Sequence, residues 1–138
     1  MARRKTPPRA DRSRKAAAGP ARSVPLKPGL ETIRETIDDY LPATLHDNFA
    51  LFDKYPGYVF SFEGAFHYAL MKEYYPAEWE RLKGYVKAGR WKVAGSWVDA
   101  ADTHVPSPES LVRQALYGNG FFRSELGVAS RDVFLPDC

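Results

Sequence analysis

The sequence predicts an α/β protein in which parallel strands alternate with helices. Three short runs rich in β-branched and aromatic residues indicate buried strands, at 58–62, 91–95 and 133–135. Stretches with apolar residues spaced three or four apart lie before and between them and indicate helices. This alternation is typical of a parallel sheet whose strands are joined by right-handed helical crossovers.

The first 28 residues differ in composition from the rest of the chain. Nine lysines and arginines against one aspartate give residues 1–28 a charge of +8, and the total of +3 leaves −5 for residues 29–138. Large apolar residues are almost absent from this segment, so burial cannot offset the entropy lost on ordering. We therefore expect a disordered basic tail.

The basic tail allows a rival function, a non-enzymatic module whose arm binds nucleic acid. Two features count against nucleic acid as a partner. Residues 29–138 are acidic, and no aromatic residues lie between the charges of the tail. A third alternative is a protein-interaction fragment that uses exposed helix faces.

Length and cysteine content set further bounds. The 138 residues suffice for one domain or a piece of a larger one. No run of about 18 apolar residues is present, so we expect no transmembrane helix. The single cysteine, Cys138, cannot form an internal disulfide, which is typical of a reducing compartment, and we expect a cytoplasmic protein.

Amphipathic helices are predicted from about Gly29 to Lys54. Pro42 interrupts the pattern, so we predict two helices or one kinked helix. The apolar positions are Leu30, Ile33, Ile37 and Leu41, followed by Leu45, Phe49 and Phe52. A turn at 55–57 then leads into the first strand.

Two helices are predicted between the first and second strands. One runs from about Phe66 to Tyr74, with Leu70 completing its apolar face. The next opens at Pro76, whose missing N–H costs nothing in a first turn, and ends near Gly89. Its apolar face comprises Trp79, Leu82, Tyr85 and Val86.

A last helix is predicted after a loop that spans 96–107. Ser107 suits its N-cap, Pro108 its first position, and Gly127 lies near its end. The predicted buried side comprises Leu111, Ala115, Leu116, Phe121 and Phe122.

The third predicted strand is followed by an acidic residue, Asp137. In parallel α/β proteins the chemistry lies beyond the carboxyl ends of the strands, so this carboxylate is a functional candidate. Pro136 and Asp137 are also ordinary turn residues, which leaves a structural alternative. The three histidines, His46, His67 and His104, show no spacing that builds a metal site.

Five stretches downstream of about Thr36 carry the motifs of a known family. They are Lys54–Ala65, Glu73–Pro76, Gly89–Asp99, Pro106–Gly118 and Asp132–Asp137. Each is a weak signal alone, but in this order and spacing they resemble the catalytic N-terminal domain of the glycoside hydrolase family 38 α-mannosidases, of the bacterial and archaeal type.

The resemblance implies a fold and an activity. The family's catalytic domain is an incomplete (β/α) barrel that binds one zinc ion and hydrolyses terminal α-mannosides with retention. We therefore expect residues 29–138 to be a fragment of that barrel. Asp137 matches the aspartate of the family's Pro-Asp-x-Phe-Gly motif, which implies that it is both the nucleophile and a zinc ligand. Retaining glycosidases need such a carboxylate and a second carboxyl group that protonates the leaving oxygen.

The resemblance also implies a sugar pocket. Trp97 and Asp102 lie in the loop after the second strand, where the family lines that pocket, and Glu63 is a further candidate by position alone. An aromatic face and carboxylates suit stacking on a sugar and hydrogen bonding to its hydroxyls. The alternatives are core packing for Trp97 and an ordinary loop acid for Asp102.

Part of the family's zinc site has no counterpart in this sequence. The resemblance implies a His-x-Asp pair upstream of the first helices, but residues 1–28 contain no histidine. A later histidine and the acid/base carboxylate would lie beyond Cys138. We therefore expect an incomplete fragment that is inactive alone, since zinc sites take three or four protein ligands. Its open strand edges also predict poor solubility or a molten state.

Overall fold

The structure is a computed structural model that describes residues 33–135. The predicted tail at 1–28 and the candidate Asp137 lie outside the described residues, so both stay predictions. The elements in chain order are α1 (Ile33–Glu35), a π-helix (Thr36–Tyr40), α2 (Leu41–Lys54), β1 (Phe60–Glu63), α3 (Ala65–Tyr74), α4 (Pro76–Lys87), β2 (Trp91–Ala94) and α5 (Pro108–Leu126).

The two strands form a parallel pair, with Phe60 opposite Trp91 and Glu63 opposite Ala94. A parallel pair needs a long crossover, which α3 and α4 supply here. The α/β prediction and the parallel pairing of the first two strands are thereby confirmed. Two strands do not establish a barrel, so the predicted (β/α) barrel stays a prediction.

The third predicted strand, at 133–135, is wrong. Residues 131–135 have no regular secondary structure, and Val133, Phe134 and Leu135 are 55%, 50% and 42% exposed. The residue just before this run, Asp132, is bonded to a side chain and not to a strand. The Ser96 hydroxyl donates to its carbonyl at 2.8 Å. An apolar run favours a strand only where it fits a pleated, half-buried surface beside other strands.

The interruption near Pro42 is a π-helical turn within a continuous helical path. The Leu41 amide donates to the Thr36 carbonyl, five residues back. In that register the Ile37 carbonyl would pair with Pro42, which has no N–H to donate. The Tyr75 hydroxyl donates to the Ile37 carbonyl at 2.5 Å and so satisfies it. The helix therefore continues past Pro42, because Tyr75, at the α3–α4 junction, supplies the hydrogen-bond donor that the proline lacks.

The hydrophobic core is centred on Trp91, which is 1% exposed. Five aromatic rings lie with their centroids 4.9–6.5 Å from its ring, those of Phe49, Phe52, Phe60, Phe62 and Tyr68. The Trp91 indole N–H donates to the Tyr68 hydroxyl at 2.8 Å, and that hydroxyl donates to the Phe62 carbonyl at 2.9 Å. The buried polar groups of the core thus satisfy one another.

The predicted buried face of α3 is wrong, because the observed face is rotated by part of a helical turn. Phe66 and Tyr74 are 36% and 50% exposed, whereas Tyr68 and Met71 are fully buried. Leu70 is buried as predicted. The rings of Trp91 and its neighbours contact the Tyr68 side of the helix, which decides its orientation.

The predicted buried side of α5 needs one correction, at Leu116, which is 62% exposed. Gly118 and Phe122, one turn apart, are the buried residues of this helix. Leu116 lies two residues, or about 200°, around the helix from Gly118, so it faces the opposite side. Both predicted ends are confirmed: the Ser107 hydroxyl accepts from an amide of the first turn, and Gly127 follows the helix in the left-handed conformation.

The helices within residues 33–135 differ from membrane-spanning helices. None of them combines the necessary length and apolar character.

Candidate functional site

The carboxyl ends of both strands turn sharply at glycines. Gly64 follows β1 with φ +79°, and Gly95 follows β2 with φ +64°. This left-handed backbone is accessible to glycine without steric strain. The first turn sends the chain into α3, and the second sends it into the loop at 96–107. Glu63 and Trp97 therefore leave the sheet at the same edge.

The loop after β2 caps the N-terminus of α3. The Ala65 amide donates to the Trp97 carbonyl at 3.1 Å, and the Phe66 amide donates to the Val98 carbonyl at 2.8 Å. The first amides of a helix have no partner within it, so these carbonyls satisfy them. The contacts hold Glu63, which lies two residues before Ala65, and Trp97 near each other.

Glu63 is half-buried above the end of β2. A Cβ atom built on Gly95 would lie 3.3 Å from Glu63 Oε2 and 3.6 Å from the Cβ of Phe134, so the glycine leaves room for both side chains. Burial raises the pKa of Glu63, and the negative charge of Asp99 raises it further. Glu63 therefore keeps its proton to higher pH than an isolated glutamate does.

Trp97 differs from the other two tryptophans, Trp79 and Trp91, which are 3% and 1% exposed. Trp97 is half-buried and lies outside the hydrophobic core cluster. This indole therefore does not belong to the main core, in contrast to the other two. Its backbone carbonyl is bonded to the first turn of α3, and the residue as a whole is only partly buried.

Asp102 is exposed and bound within its own turn. Its carboxylate accepts from the His104 amide at 2.9 Å and lies 3.2 Å from His104 Nδ1. Within the described residues, no hydrogen bond or ion pair joins Asp102 to Glu63 or Trp97. The structure thus places Glu63 and Trp97 at neighbouring strand ends and bonds Asp102 within its own turn, while Asp137 lies outside the described range.

Asp99 is a neighbour of the candidate site that the sequence patterns did not indicate. Its amide donates to Gln114 Oε1 on α5 at 3.1 Å, which holds the loop, and its charge acts on Glu63. Its place two residues after Trp97 was a signal that could have identified it.

His67 was set aside because it showed no metal-binding spacing, yet it lies beside the turn that carries Glu63. Its buried Nδ1 has no hydrogen-bond partner within the described residues. A Cβ atom built on Gly64 would lie only 2.8 Å from that nitrogen. The spacing of four residues between Glu63 and His67, across a helix N-terminus, was the available signal.

Comparison with known proteins identifies the family. The profile of the glycosyl hydrolases family 38 N-terminal domain matches residues 29–138. The chain belongs to this family. Sequence reasoning had named the same family from its motifs.

Several relatives of this family-38 chain are named as α-mannosidases. It is 42% identical to α-mannosidase G of Dictyostelium discoideum over 86 residues, which are 62% of this chain and 8% of that protein. It is 31% identical to human α-mannosidase 2C1 over 113 residues, 81% of this chain and 10% of the relative. It is 33% identical to a Saccharomyces cerevisiae α-mannosidase over 89 residues, 63% and 8% of the two chains. The chain thus spans about a tenth of the length of these relatives.

The described part of this family-38 chain does not form a metal site by itself. Across residues 33–135, no three histidine, cysteine, aspartate or glutamate side chains are grouped so that they could hold a metal ion. The predicted zinc ligand Asp137 lies outside that range. The described residues therefore do not fit a zinc ion, and no chemical step is assigned to one.

A cavity of about 550 Å³ lies between α2 and α4, and its lining shares no residue with the strand ends. Arg81 donates to Asp53 across it at 2.8 Å, and this hydrogen bond holds the pKa of Asp53 below its usual value. Both charged partners are thus paired with each other. We therefore place the candidate site at the strand ends, where polar groups converge beside a family motif.

Proposed function

We propose that this chain supplies part of the catalytic domain of a zinc-dependent α-mannosidase that hydrolyses terminal α-mannosides with retention. The observation that supports the proposal is the placement of Glu63 and Trp97 at the carboxyl ends of two parallel strands in a family-38 chain, where the Trp97 carbonyl bonds to the Ala65 amide. The names of its relatives, all α-mannosidases, support the substrate class.

In this proposal the strand ends bind the sugar. The accessible face of the Trp97 indole stacks on the apolar face of a mannose ring, and Glu63 hydrogen-bonds to its hydroxyls. Because burial and Asp99 raise the pKa of Glu63, its carboxyl group can hold a proton to higher pH and then donate a hydrogen bond. Asp102 is exposed and could reach a ligand only from the rim of the site.

Asp137 is the proposed nucleophile and zinc ligand, as the family motif implies. Phe134, three positions before it in the sequence, packs near Gly95 at the end of β2. A retaining glycosidase also needs a general acid, and a zinc site needs further ligands. We assign neither to the residues of this chain and propose that the chain alone binds an α-mannoside without hydrolysing it.

Sugar binding is tested by titrating the 138-residue chain with methyl α-mannoside while following tryptophan fluorescence. The expected result is a saturable change that the variant Trp97→Phe lacks. Methyl α-glucoside, which differs only in the configuration of one hydroxyl, is the matched ligand control and should produce a weaker change. A wild-type response that is absent, or that is identical for both sugars, would contradict the proposal.

The catalytic part is tested with an aryl α-mannoside in the presence and absence of added zinc. We expect no turnover by the isolated chain in either condition. Turnover at a rate comparable to that of a full-length family member would show that the chain carries a complete site. Loss of that turnover in Asp137→Asn would then identify Asp137 as the nucleophile.

A further inference from the structure

Helix α5 crosses the loop after β2 at Gly118, with almost no space between the two backbones. A Cβ atom built on Gly118 would lie 2.4 Å from the Ser96 carbonyl oxygen, and 2.5 and 2.7 Å from the carbonyl carbon and oxygen of Trp97. Cβ contacts below 3.0 Å essentially never occur in proteins. The crowding atoms belong to the backbone, so no side-chain rotation relieves them. The close approach therefore requires glycine at 118.

The Trp97 peptide is held on its other side as well. Its carbonyl, which faces Gly118, also accepts the hydrogen bond from the Ala65 amide at 3.1 Å. The neighbouring residue, Ser96, is tied down separately, since its hydroxyl donates to the Asp132 carbonyl at 2.8 Å. The peptide thus lies between α5 and the first turn of α3, with little freedom to move.

A displacement at this point would reach both sugar-site candidates. An ordinary contact begins at 3.4 Å, so a methyl group at 118 would have to push the Ser96 and Trp97 carbonyls away by about 1 Å. Such a shift carries the Trp97 indole with it. Because the peptide lies between the two helices, the shift also distorts its hydrogen bond with the Ala65 amide, and the chain leads from Ala65 back through Gly64 to Glu63.

We propose that Gly118 is a positioning residue of the strand-end site. Its missing side chain lets α5 press on the Trp97 peptide, which sets the indole and, through the Ala65 amide, the turn that carries Glu63. The expected effect on mannoside binding rests on the proposed function above, whereas the positioning of Trp97 does not. Gly118 itself contacts no substrate in this proposal.

The same helix offers a matched control, Gly120. Glycine within a helix lowers stability relative to alanine, so both positions would gain from substitution if nothing else lay near them. A Cβ atom on Gly120 meets nothing within 4 Å. Gly120→Ala therefore adds the same methyl group to the same helix without touching the loop.

The experiment compares Gly118→Ala and Gly120→Ala in the 138-residue chain. Acrylamide quenching of Trp97, obtained by difference from the matching Trp97→Phe proteins, reports its accessibility. We expect quenching to change in Gly118→Ala alone, because Trp97 is the tryptophan in contact with Gly118 and, unlike Trp79 and Trp91, is not fully buried. The affinity for methyl α-mannoside should fall about tenfold or more in that variant and stay unchanged in Gly120→Ala. The midpoint of urea unfolding should rise in Gly120→Ala and fall in Gly118→Ala.

Equal quenching in both variants would overturn the proposal, as would a higher urea midpoint for Gly118→Ala. If Gly118→Ala does not fold, nuclear Overhauser contacts between the Gly118 α-protons and the Trp97 backbone in the unmodified chain decide instead. Their presence supports the close approach and their absence overturns it. If the wild-type chain binds no mannoside, the proposed function fails, while quenching and the proton contacts still test the positioning of Trp97.

Discussion

Trp91 and Trp97 lie six residues apart, on either side of the turn at Gly95, and their surroundings differ. Trp91 is 1% exposed and packed among aromatic rings, and its indole N–H is bonded to Tyr68. Trp97 is half-buried and is held by its backbone, between Ala65 and Gly118. Side-chain packing therefore orders the core, whereas backbone contacts order the strand ends.

The largest expected effect separates the two tryptophans. Trp91→Ala removes the centre of the core and should lower the free energy of unfolding by about 3–5 kcal/mol, enough to abolish cooperative unfolding in a marginal domain. Trp97→Ala, the control, should cost about 1 kcal/mol, because its indole lies outside the core cluster. Urea unfolding followed by circular dichroism measures both. Equal losses would mean that Trp97 is also a core residue.

The variant Tyr68→Phe tests the hydrogen bonds at the centre of the core. This variant leaves the buried Trp91 indole N–H without its acceptor and removes the Tyr68 hydroxyl that donates to the Phe62 carbonyl. We expect the free energy of unfolding to fall by about 1–3 kcal/mol. Tyr117→Phe removes a hydroxyl from a residue that is 60% exposed and should leave stability unchanged. A loss of similar size in both variants would point to a general effect of removing hydroxyls.

A smaller effect is expected at the π-helical turn. Tyr75→Phe removes the donor to the Ile37 carbonyl, which Pro42 cannot replace. The free energy of unfolding should fall by about 1 kcal/mol. Amide exchange at Leu41 should accelerate, because this residue closes the π-helical turn. Unchanged exchange at Leu41 would show that the turn forms without Tyr75.

The smallest effect concerns Glu63 and depends on pH. Its pKa is raised in the folded chain, so the folded state binds the proton more tightly than the unfolded state. Stability is therefore highest below the usual glutamate pKa and decreases as the pH rises through the raised value. Glu63→Gln removes this penalty and should stabilise the chain at pH 7 by about 0.5 kcal/mol or less, since solvent screens the half-buried group.

The comparison for Glu63→Gln is the same pair of proteins at pH 3.5, where wild-type Glu63 is largely protonated. There the two urea midpoints should coincide. A difference of equal size at both pH values would mean that burial and the charge of Asp99 do not act on this carboxylate.

Sequence patterns predicted the core elements better than the strand ends. Helical periodicity located Leu45, Phe49 and Phe52, and the Ser107 cap and Gly127 bounded α5, because these features depend on local spacing. The orientation of α3 and the exposure of Leu116 were wrong because they depend on which neighbouring helix or strand a face meets. The family motifs indicated Trp97. No periodicity could indicate that its peptide lies between the Ala65 amide and Gly118.

The failure at 133–135 has the same physical origin. The run Val133-Phe134-Leu135 has strand-like composition, yet within the described residues its backbone enters no ladder. Strand formation depends on partners that are distant in sequence, and composition does not supply them. Local rules therefore succeeded for the positions of the helices, though not for every buried face, and for the two strands joined by one crossover.

The indole proton signals of the three tryptophans, recorded during titration with methyl α-mannoside, test the account most directly. If the strand ends hold the sugar, the Trp97 signal shifts saturably, while the signals of the buried Trp79 and Trp91 stay in place. Methyl α-glucoside should shift the Trp97 signal less. A stationary Trp97 signal, or equal shifts of all three indoles, would contradict a sugar site at these strand ends.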